Sequence, residues 1–318
     1  MGVLVTGGAG FIGSNLVHRL VAENEETHVL DNLSSGKLES LERVKGNPKF
    51  HFHKADLLQR EDLSIPRDCK TIYHLAANPE VRVGFTNPEV HFSQNVVTTF
   101  NLLEAARKID AETLLFTSTS TVYGDARAMP TPEDYSPLEP ISMYGASKLA
   151  CESIMISYAH TYGMRTIIYR LANIIGADST HGVIFDFVNK LLNDPSRLEV
   201  LGDGTQNKSY LHISDCISAM LVGQGASRER VSVYNVGSQD QIEVRDIAKA
   251  VVEAMDVQST KLEFTGGVDN GRGWKGDVKN MLLDVSKILG LGWEPRYGSL
   301  EAVRLTAKEL ARGVAYQK

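Results

Sequence analysis

Cysteine is scarce in this chain: Cys69, Cys151 and Cys216 are the only three in 318 residues. An odd number at wide spacing supports neither a disulfide framework nor a zinc cluster, and a reducing, cytoplasmic setting is expected. Long apolar runs are missing too. None approaches the roughly 18 residues of a membrane span, and no basic segment precedes the first apolar stretch as a secretory leader would require. Nor is there a run of Lys and Arg. With 33 basic against 39 acidic residues the formal net charge is −6, so no nucleic-acid footprint is expected. His51 and His53 alternate onto one face of a strand without a third ligand beside them, and no metal is expected there.

What the chain does have is alternation. Val3 to Val5, Thr27 to Leu30, Phe50 to Phe52, Thr71 to Leu75, Thr113 to Thr117 and Thr166 to Tyr169 read as strands. Helix-length segments lie between them, among them Phe11 to Ala22, Pro88 to Lys108 and Tyr144 to Tyr162. That order predicts an α/β fold, a Rossmann-type doubly wound parallel sheet. The second half is less regular, and Ser232 to Val236 reads as a strand returning to the main sheet. A smaller C-terminal substrate domain, interleaved with the first, is therefore expected. The division runs 1–172 plus about 211–240 for the cofactor domain, and about 173–210 with 241–318 for the other.

The segments at 89–108 and 144–162 are apolar all round: Val96, Val97, Phe100, Leu102, Leu103 and Ala105 in one, Leu149, Ile154, Met155, Ile156, Tyr158 and Tyr162 in the other. A helix apolar on every side needs cover on every side. One side can face the sheet and the other a second copy, so a homodimer through these helices is expected, with burial beneath the second domain as the alternative.

The first strand enters Gly7-Gly8-Ala9-Gly10-Phe11-Ile12-Gly13. Glycines between a strand and a helix let backbone N–H groups approach a pyrophosphate, which the helix N-terminus then stabilises. Glycine spacing alone is weak; the strand before, the helix after and an acid ending the next strand make it specific. Asp31 is that acid, placed to accept hydrogen bonds from an adenosine ribose and to repel a 2′-phosphate. The expected cofactor is NAD rather than NADP. Tyr144 and Lys148 stand four residues apart at the start of a helix, on one face. A free tyrosine titrates near ~10; a neighbouring ammonium and a positive nicotinamide ring favour its phenolate and make it a usable acid/base. Upstream, Thr117-Ser118-Thr119-Ser120 ends a strand with hydroxyls able to hold a substrate oxygen.

These motifs, with Asp31-Asn32-Leu33-Ser34-Ser35-Gly36, Asp56-Leu57, His74-Leu75-Ala76-Ala77, Asn95-Val96, Ser118 to Gly124 and Tyr144-Gly145-Ala146-Ser147-Lys148, resemble the extended short-chain dehydrogenase/reductase family, and within it the nucleotide-sugar 4-epimerases. The similarity runs nearly the whole chain. It implies that Thr119 holds the substrate oxygen, Tyr144 is the acid/base, and Lys148 binds the nicotinamide ribose and tunes Tyr144. It implies further cofactor contacts at Gly7, Gly10, Phe11, Ile12, Gly13, Asp31, Asn32, Ser35, Gly36, Asp56, Leu57, Ala76, Ala77, Asn95 and Ser118. Asn173, Lys208, Arg272 and Asp277 would bind a UDP-sugar. Lys208 stands where the family usually has Arg, and Trp274 where another Arg is common, with Arg272 nearby. Met281 falls where the family sets room around the sugar C2 substituent.

The implied reaction is NAD-dependent, reversible inversion at C4 of a UDP-hexose. UDP-N-acetylhexosamine and UDP-glucuronate are the alternative substrates, the latter through Arg82. Dehydratases carry Asp-Glu after the active-site Thr and decarboxylases a Glu; Ser120 and Thr121 carry no carboxylate. A non-catalytic NAD-binding regulator would commonly lack the Tyr/Lys pair, which is present.

Overall fold

The computed structural model describes residues 1–315. Its frame is a seven-stranded sheet of β1 (Gly2–Thr6), β2 (Thr27–Asp31), β3 (Phe50–Lys54), β4 (Cys69–His74), β5 (Thr113–Thr119), β6 (Arg165–Leu171) and β7 (Val231–Val236). Each strand expected from the sequence is present, including the returning one. They lie in the order β7-β6-β5-β4-β1-β2-β3. The pairings β1 with β2, β1 with β4, β2 with β3 and β4 with β5 are all parallel. The chain winds outward from β1 to β3 and then crosses back to β4 on the other side of β1. That reversal is the switch point at which open α/β sheets leave a crevice beyond the strand ends.

The central strands are buried on both faces. GVLVT in β1, THVLD in β2 and TLLFTST in β5 are buried at every position, as β-branched and apolar runs are when helices cover both sides of a sheet. α1 (Phe11–Ala22) buries Leu16, Val17, Leu20 and Val21. The expected helix at 89–108 is divided: Glu89–His91 leads into a π-helical stretch, Phe92–Val97, and then α2 (Thr98–Lys108). A π turn sets the helix face out of phase, which a 3.6-residue periodicity does not reveal. α3 (Met143–Tyr162) begins at Ser142, whose Oγ accepts the Gly145 N–H at 3.1 Å, and ends at Gly163 with φ 80°.

Leu102, Leu103 and Ala106 of α2 and Cys151 and Met155 of α3 pack with Leu4, Ile72, Leu114 and Phe116 of the sheet. Burial of each large side chain there contributes ~1.5–3 kcal/mol. Elsewhere on these segments Phe92, Phe100 and Tyr162 stay exposed, at 57%, 39% and 50%.

The chain forms two compact units. The first is Met1–Val122, Ser142–Arg170 and Met220–Tyr234; the second is Tyr123–Ile141, Leu171–Ala219 and the described residues from Asn235 onward. Residues 123–141, 171–172, 211–219 and 235–240, which the sequence division grouped with the cofactor domain, pack with the second unit. That unit has its own core, in which Phe187, Leu191, Leu198, Ile247, Val251, Val303 and Ala307 meet. Its strand Arg197–Val200 pairs in parallel with Lys261–Phe264, and Asn207–Lys208 lies between Ile242–Glu243 and Asn280–Met281. Among the described residues no helix is long and apolar enough to cross a membrane.

Candidate active site

β1 delivers the glycine loop to the switch point. Gly7 has φ 69°, and a Cβ there would lie 2.7 Å from the Ala76 nitrogen, so the loop touches the chain leaving β4 directly. On Gly13 a Cβ would stand 2.1 Å from the Gly7 oxygen, and on Gly36 2.9 Å from the Ala9 carbonyl carbon. Gly10 differs: only the Gly7 oxygen, at 3.2 Å, would be near. It caps α1 without any side-chain hydrogen bond, and the first turn carries no acid. The helix N-terminus therefore keeps its partial positive charge for an anion, and a dinucleotide diphosphate fits this cradle.

Asp31 secures the loop from the end of β2. Its Oδ2 accepts the Ala9 N–H at 3.0 Å and its Oδ1 the Leu33 N–H at 2.8 Å. A carboxylate has further lone pairs, enough for ribose hydroxyls. Asn32 donates to Asp56 Oδ2 at 3.1 Å, and Asp56 Oδ1 accepts the Leu58 N–H at 2.9 Å. Leu57 is buried while Ser35 is exposed; Phe11, Ile12, Ala76 and Ala77 are half-buried around the loop. Two residues expected at the cofactor have side chains bonded within the protein. Asn95, 1% exposed, accepts the Asn78 N–H at 2.8 Å and donates to Ser147 Oγ at 2.8 Å. Ser118 donates its hydroxyl to Glu152. Both side chains brace the protein itself.

α3 and the end of β5 bring Thr119, Tyr144 and Lys148 together in the first unit. Lys148 Nζ donates to the Thr117 carbonyl at 2.8 Å and lies 4.6 Å over the Phe116 ring. Burial pulls this lysine down to about 8, opposed by the negative fields of Cys151 and Glu152. Tyr144, in the first turn of α3, is hydrogen-bonded to Thr119; burial pushes its phenol up to about 12, with the Thr119 bond acting the other way. The positive end of the helix also favours a phenolate at this position. His91 packs edge-on against Tyr144, with centroids 5.7 Å apart. Thr119 Oγ1 accepts the Thr121 N–H at 3.1 Å. Arg82, a candidate for a sugar carboxylate, is engaged by Glu80 at 3.0 Å.

Sequence reasoning missed what lies beneath. Glu152 and Arg170, 2% and 5% exposed, form a buried pair with Nη2 to Oε2 at 2.8 Å and Nε to Oε1 at 3.1 Å, and Ser118 adds a third donor. One signal was available: Glu152 is a lone acid in an otherwise apolar stretch, one turn after Lys148. His74 is the other omission. Its Nδ1 meets Thr6 Oγ1 at 2.8 Å and its Nε2 meets Thr99 Oγ1 at 2.9 Å, and burial, with Lys148 nearby, drops it to about 3. It is a neutral tie between β1, β4 and α2.

In the second unit the expected substrate residues form a charged cluster of their own. Lys208 Nζ donates to Asp277 Oδ1 at 2.5 Å and lies 5.7 Å over the Trp274 ring. Asp277 Oδ2 accepts the Gly273 N–H at 3.2 Å. Arg272 is bidentate to Asp125, at 3.1 and 2.8 Å, and also donates to the Asp277 carbonyl. Asn173 stands apart, donating to the Ser209 carbonyl at 2.9 Å. Asp215 accepts the Arg296 N–H at 2.8 Å and the Tyr297 N–H at 3.2 Å.

Residues 3–237 match the model of the NAD dependent epimerase/dehydratase family. The chain belongs to this family. It is therefore an enzyme of the extended short-chain dehydrogenase/reductase group, and NAD is its cofactor. It is 32% identical to a UDP-glucose 4-epimerase of Mycolicibacterium smegmatis over 316 residues, 97% of this chain and 98% of that one. It is also 32% identical to UDP-glucuronic acid decarboxylase 4 of Arabidopsis thaliana over 322 residues, 98% of this chain and 69% of the relative. A crystal structure of a UDP-galactose 4-epimerase superposes with a TM-score of 0.88 at 42% identity, covering 99% of this chain and 100% of that chain.

Proposed function

We propose that the protein is an NAD-dependent 4-epimerase that interconverts UDP-glucose and UDP-galactose. The observation that carries this reading is the Thr119, Tyr144 and Lys148 group with hydroxyls, not carboxylates, at Ser120 and Thr121. Removal of water from a 4-keto sugar needs an added acid and base, and the glutamate that the resemblance gives decarboxylases is absent; neither neighbour carries a carboxylate.

Bound NAD supplies the acceptor and donor of hydride at C4. The chain supplies position and proton control. Thr119 holds the C4 oxygen, and Tyr144 Oη takes the hydroxyl proton and later returns it. The Lys148 ammonium would orient the nicotinamide ribose, while the Thr119 hydrogen bond opposes the upward push of burial on the Tyr144 phenol. The first-turn amides of α1 would hold the cofactor diphosphate, and Asp31 would accept from the ribose and disfavour a 2′-phosphate. In the second unit Lys208 and Arg272, held by Asp277 and Asp125, would offer positive charge to the UDP diphosphate, and Asn173 stands apart from them. Lys208, held by Asp277, acts there as a point charge where a guanidinium would be bidentate. Inversion at C4 is redox-neutral overall, so it would consume no NAD.

The engagement of Arg82 by Glu80 argues against a uronate substrate. UDP-N-acetylhexosamine is the second reading, since Met281, 7% exposed, is intermediate in bulk at the position the family uses around C2. The exposed aromatics Phe92, Phe100 and Tyr162 support a homodimer through 89–108 and 144–162. The test is to supply UDP-galactose, UDP-N-acetylgalactosamine and UDP-galacturonate separately, without added NAD, and follow the 4-epimer. Turnover of UDP-galactose is expected. No turnover of any of the three, even with NAD restored, would refute the assignment, and steady NADH release would make the enzyme a dehydrogenase.

A further inference from the structure

At the N-terminal edge of the sheet, opposite the glycine loop, titratable side chains gather from three strands. His28 in β2 pairs in register with His51 in β3, and Leu30 with His53, so all three histidines share one face. The His28 ring stacks on His51 with centroids 4.6 Å apart and on His53 at 5.4 Å. On the other side of His28, beyond β1, stand Asp68 and Cys69 at the start of β4. They meet because β1 has a glycine at this point. A Cβ on Gly2 would lie 3.1 Å from Asp68 Oδ2, 3.2 Å from Cys69 Sγ and 3.3 Å from His28 Cδ2. A carboxylate, a thiol and an imidazole thus ring one space, with donor atoms within 4.8 Å of one another. Behind them, His28 Nδ1 lies 3.1 Å from His53 Nε2. In the tautomer where Nδ1 is the donor, the lone pair of His28 Nε2 is free and the ring is held from behind, as outer partners hold a metal-bound histidine.

We infer that His28, Asp68 and Cys69 are the ligands of a zinc-class divalent ion, with water completing a tetrahedron. Mixed nitrogen, sulfur and oxygen donors suit zinc; magnesium and calcium take oxygen. Glu26, His28 and His51 also bring donors within 4.8 Å, but His51 lies flat on His28. Lone pairs of two stacked rings run parallel in their planes and do not converge on one ion. His51 bonds Glu26 Oε1 instead, at 2.5 Å. On binding, the Cys69 thiol exchanges its proton for the metal and the proton passes to solvent. The ion braces the starts of β1, β2 and β4, away from the sugar chemistry.

The test uses the full chain, stripped with a chelator and titrated with Co²⁺, with Zn²⁺ affinity measured by competition. One equivalent of Co²⁺ is expected to give tetrahedral d–d bands and a thiolate charge-transfer band, and Cys69→Ser to abolish the latter. Asp68 is exposed, so Asp68→Asn preserves the fold; it should weaken Zn²⁺ binding by about tenfold or more, while His51→Ala leaves it unchanged. Circular dichroism checks that each variant is folded. Absence of the thiolate band in the unmutated protein overturns the inference, as does an affinity that falls with His51→Ala but not with Asp68→Asn.

Discussion

Glu152→Gln isolates the buried pair beneath the candidate active site. Arg170 Nε reaches Oε1 at 3.1 Å and Oε2 at 3.2 Å, Nη2 reaches Oε2 at 2.8 Å, and Ser118 donates as well. Gln keeps the shape but removes the charge, leaving a guanidinium 5% exposed with no counter-ion from this carboxylate. Breaking one half of such a pair costs about 3–5 kcal/mol. At roughly 2–4 °C per kcal/mol for a domain of 150–250 residues, Tm should fall by about 6–20 °C. Glu152→Leu combined with Arg170→Met removes both charges and their desolvation cost, and should recover most of the loss. Differential scanning calorimetry and urea titration measure both variants. The activity readout has its own sign. An ammonium is charged below its pKa; burial has already brought Lys148 down to about 8, and the Glu152 field holds it from falling further. Gln should therefore move the alkaline fall of kcat to lower pH. A Glu152→Gln protein within about 1 kcal/mol of the parent, with an unmoved alkaline limb, would refute the reasoning.

Tyr144→Phe should lower kcat by about 10²–10⁴-fold with little change in KM, the usual worth of a proton-transfer group; steady-state kinetics on UDP-galactose checks it. Gly7→Ala places a Cβ 2.7 Å from the Ala76 nitrogen at φ 69°, and the purified protein should carry no NAD when its nucleotide content is measured. Asp31→Asn removes a charge-assisted acceptor from the Ala9 and Leu33 amides; at about 1.5–3 kcal/mol for such a bond, NAD should bind more than tenfold more weakly and its advantage over NADP should narrow. Lys208→Met leaves Asp277, 3% exposed, without its cation, and should cost ~3–5 kcal/mol in urea unfolding as well as raising KM for the UDP-sugar.

The sheet was legible because its strands are apolar runs separated by helix-length segments, and the glycine loop because Gly7 and Gly13 occupy places where any Cβ collides. Tyr144 and Lys148 were legible through their spacing on one helix. Residues whose work depends on a distant partner were not. Asn95 and Ser118 fit the motif, yet their side chains bond inward, to Ser147 and to Glu152. The π turn at Phe92–Val97 changes the face of a helix without changing its composition. His28 was passed over because its neighbours lie on other strands: His51 is 23 residues further on, while Asp68 reaches it only across Gly2. Parallel strands place such groups side by side through long crossovers, so no local window contains them.

The central claim is that the hydride leaves C4 and returns to the same carbon from a cofactor that never exchanges. UDP-galactose deuterated at C4, incubated with the purified protein and no added NAD, tests this directly by mass spectrometry and proton NMR of the product. The account predicts UDP-glucose with the deuterium still on C4. Loss of the label to solvent, or its appearance in free NADH, would contradict it.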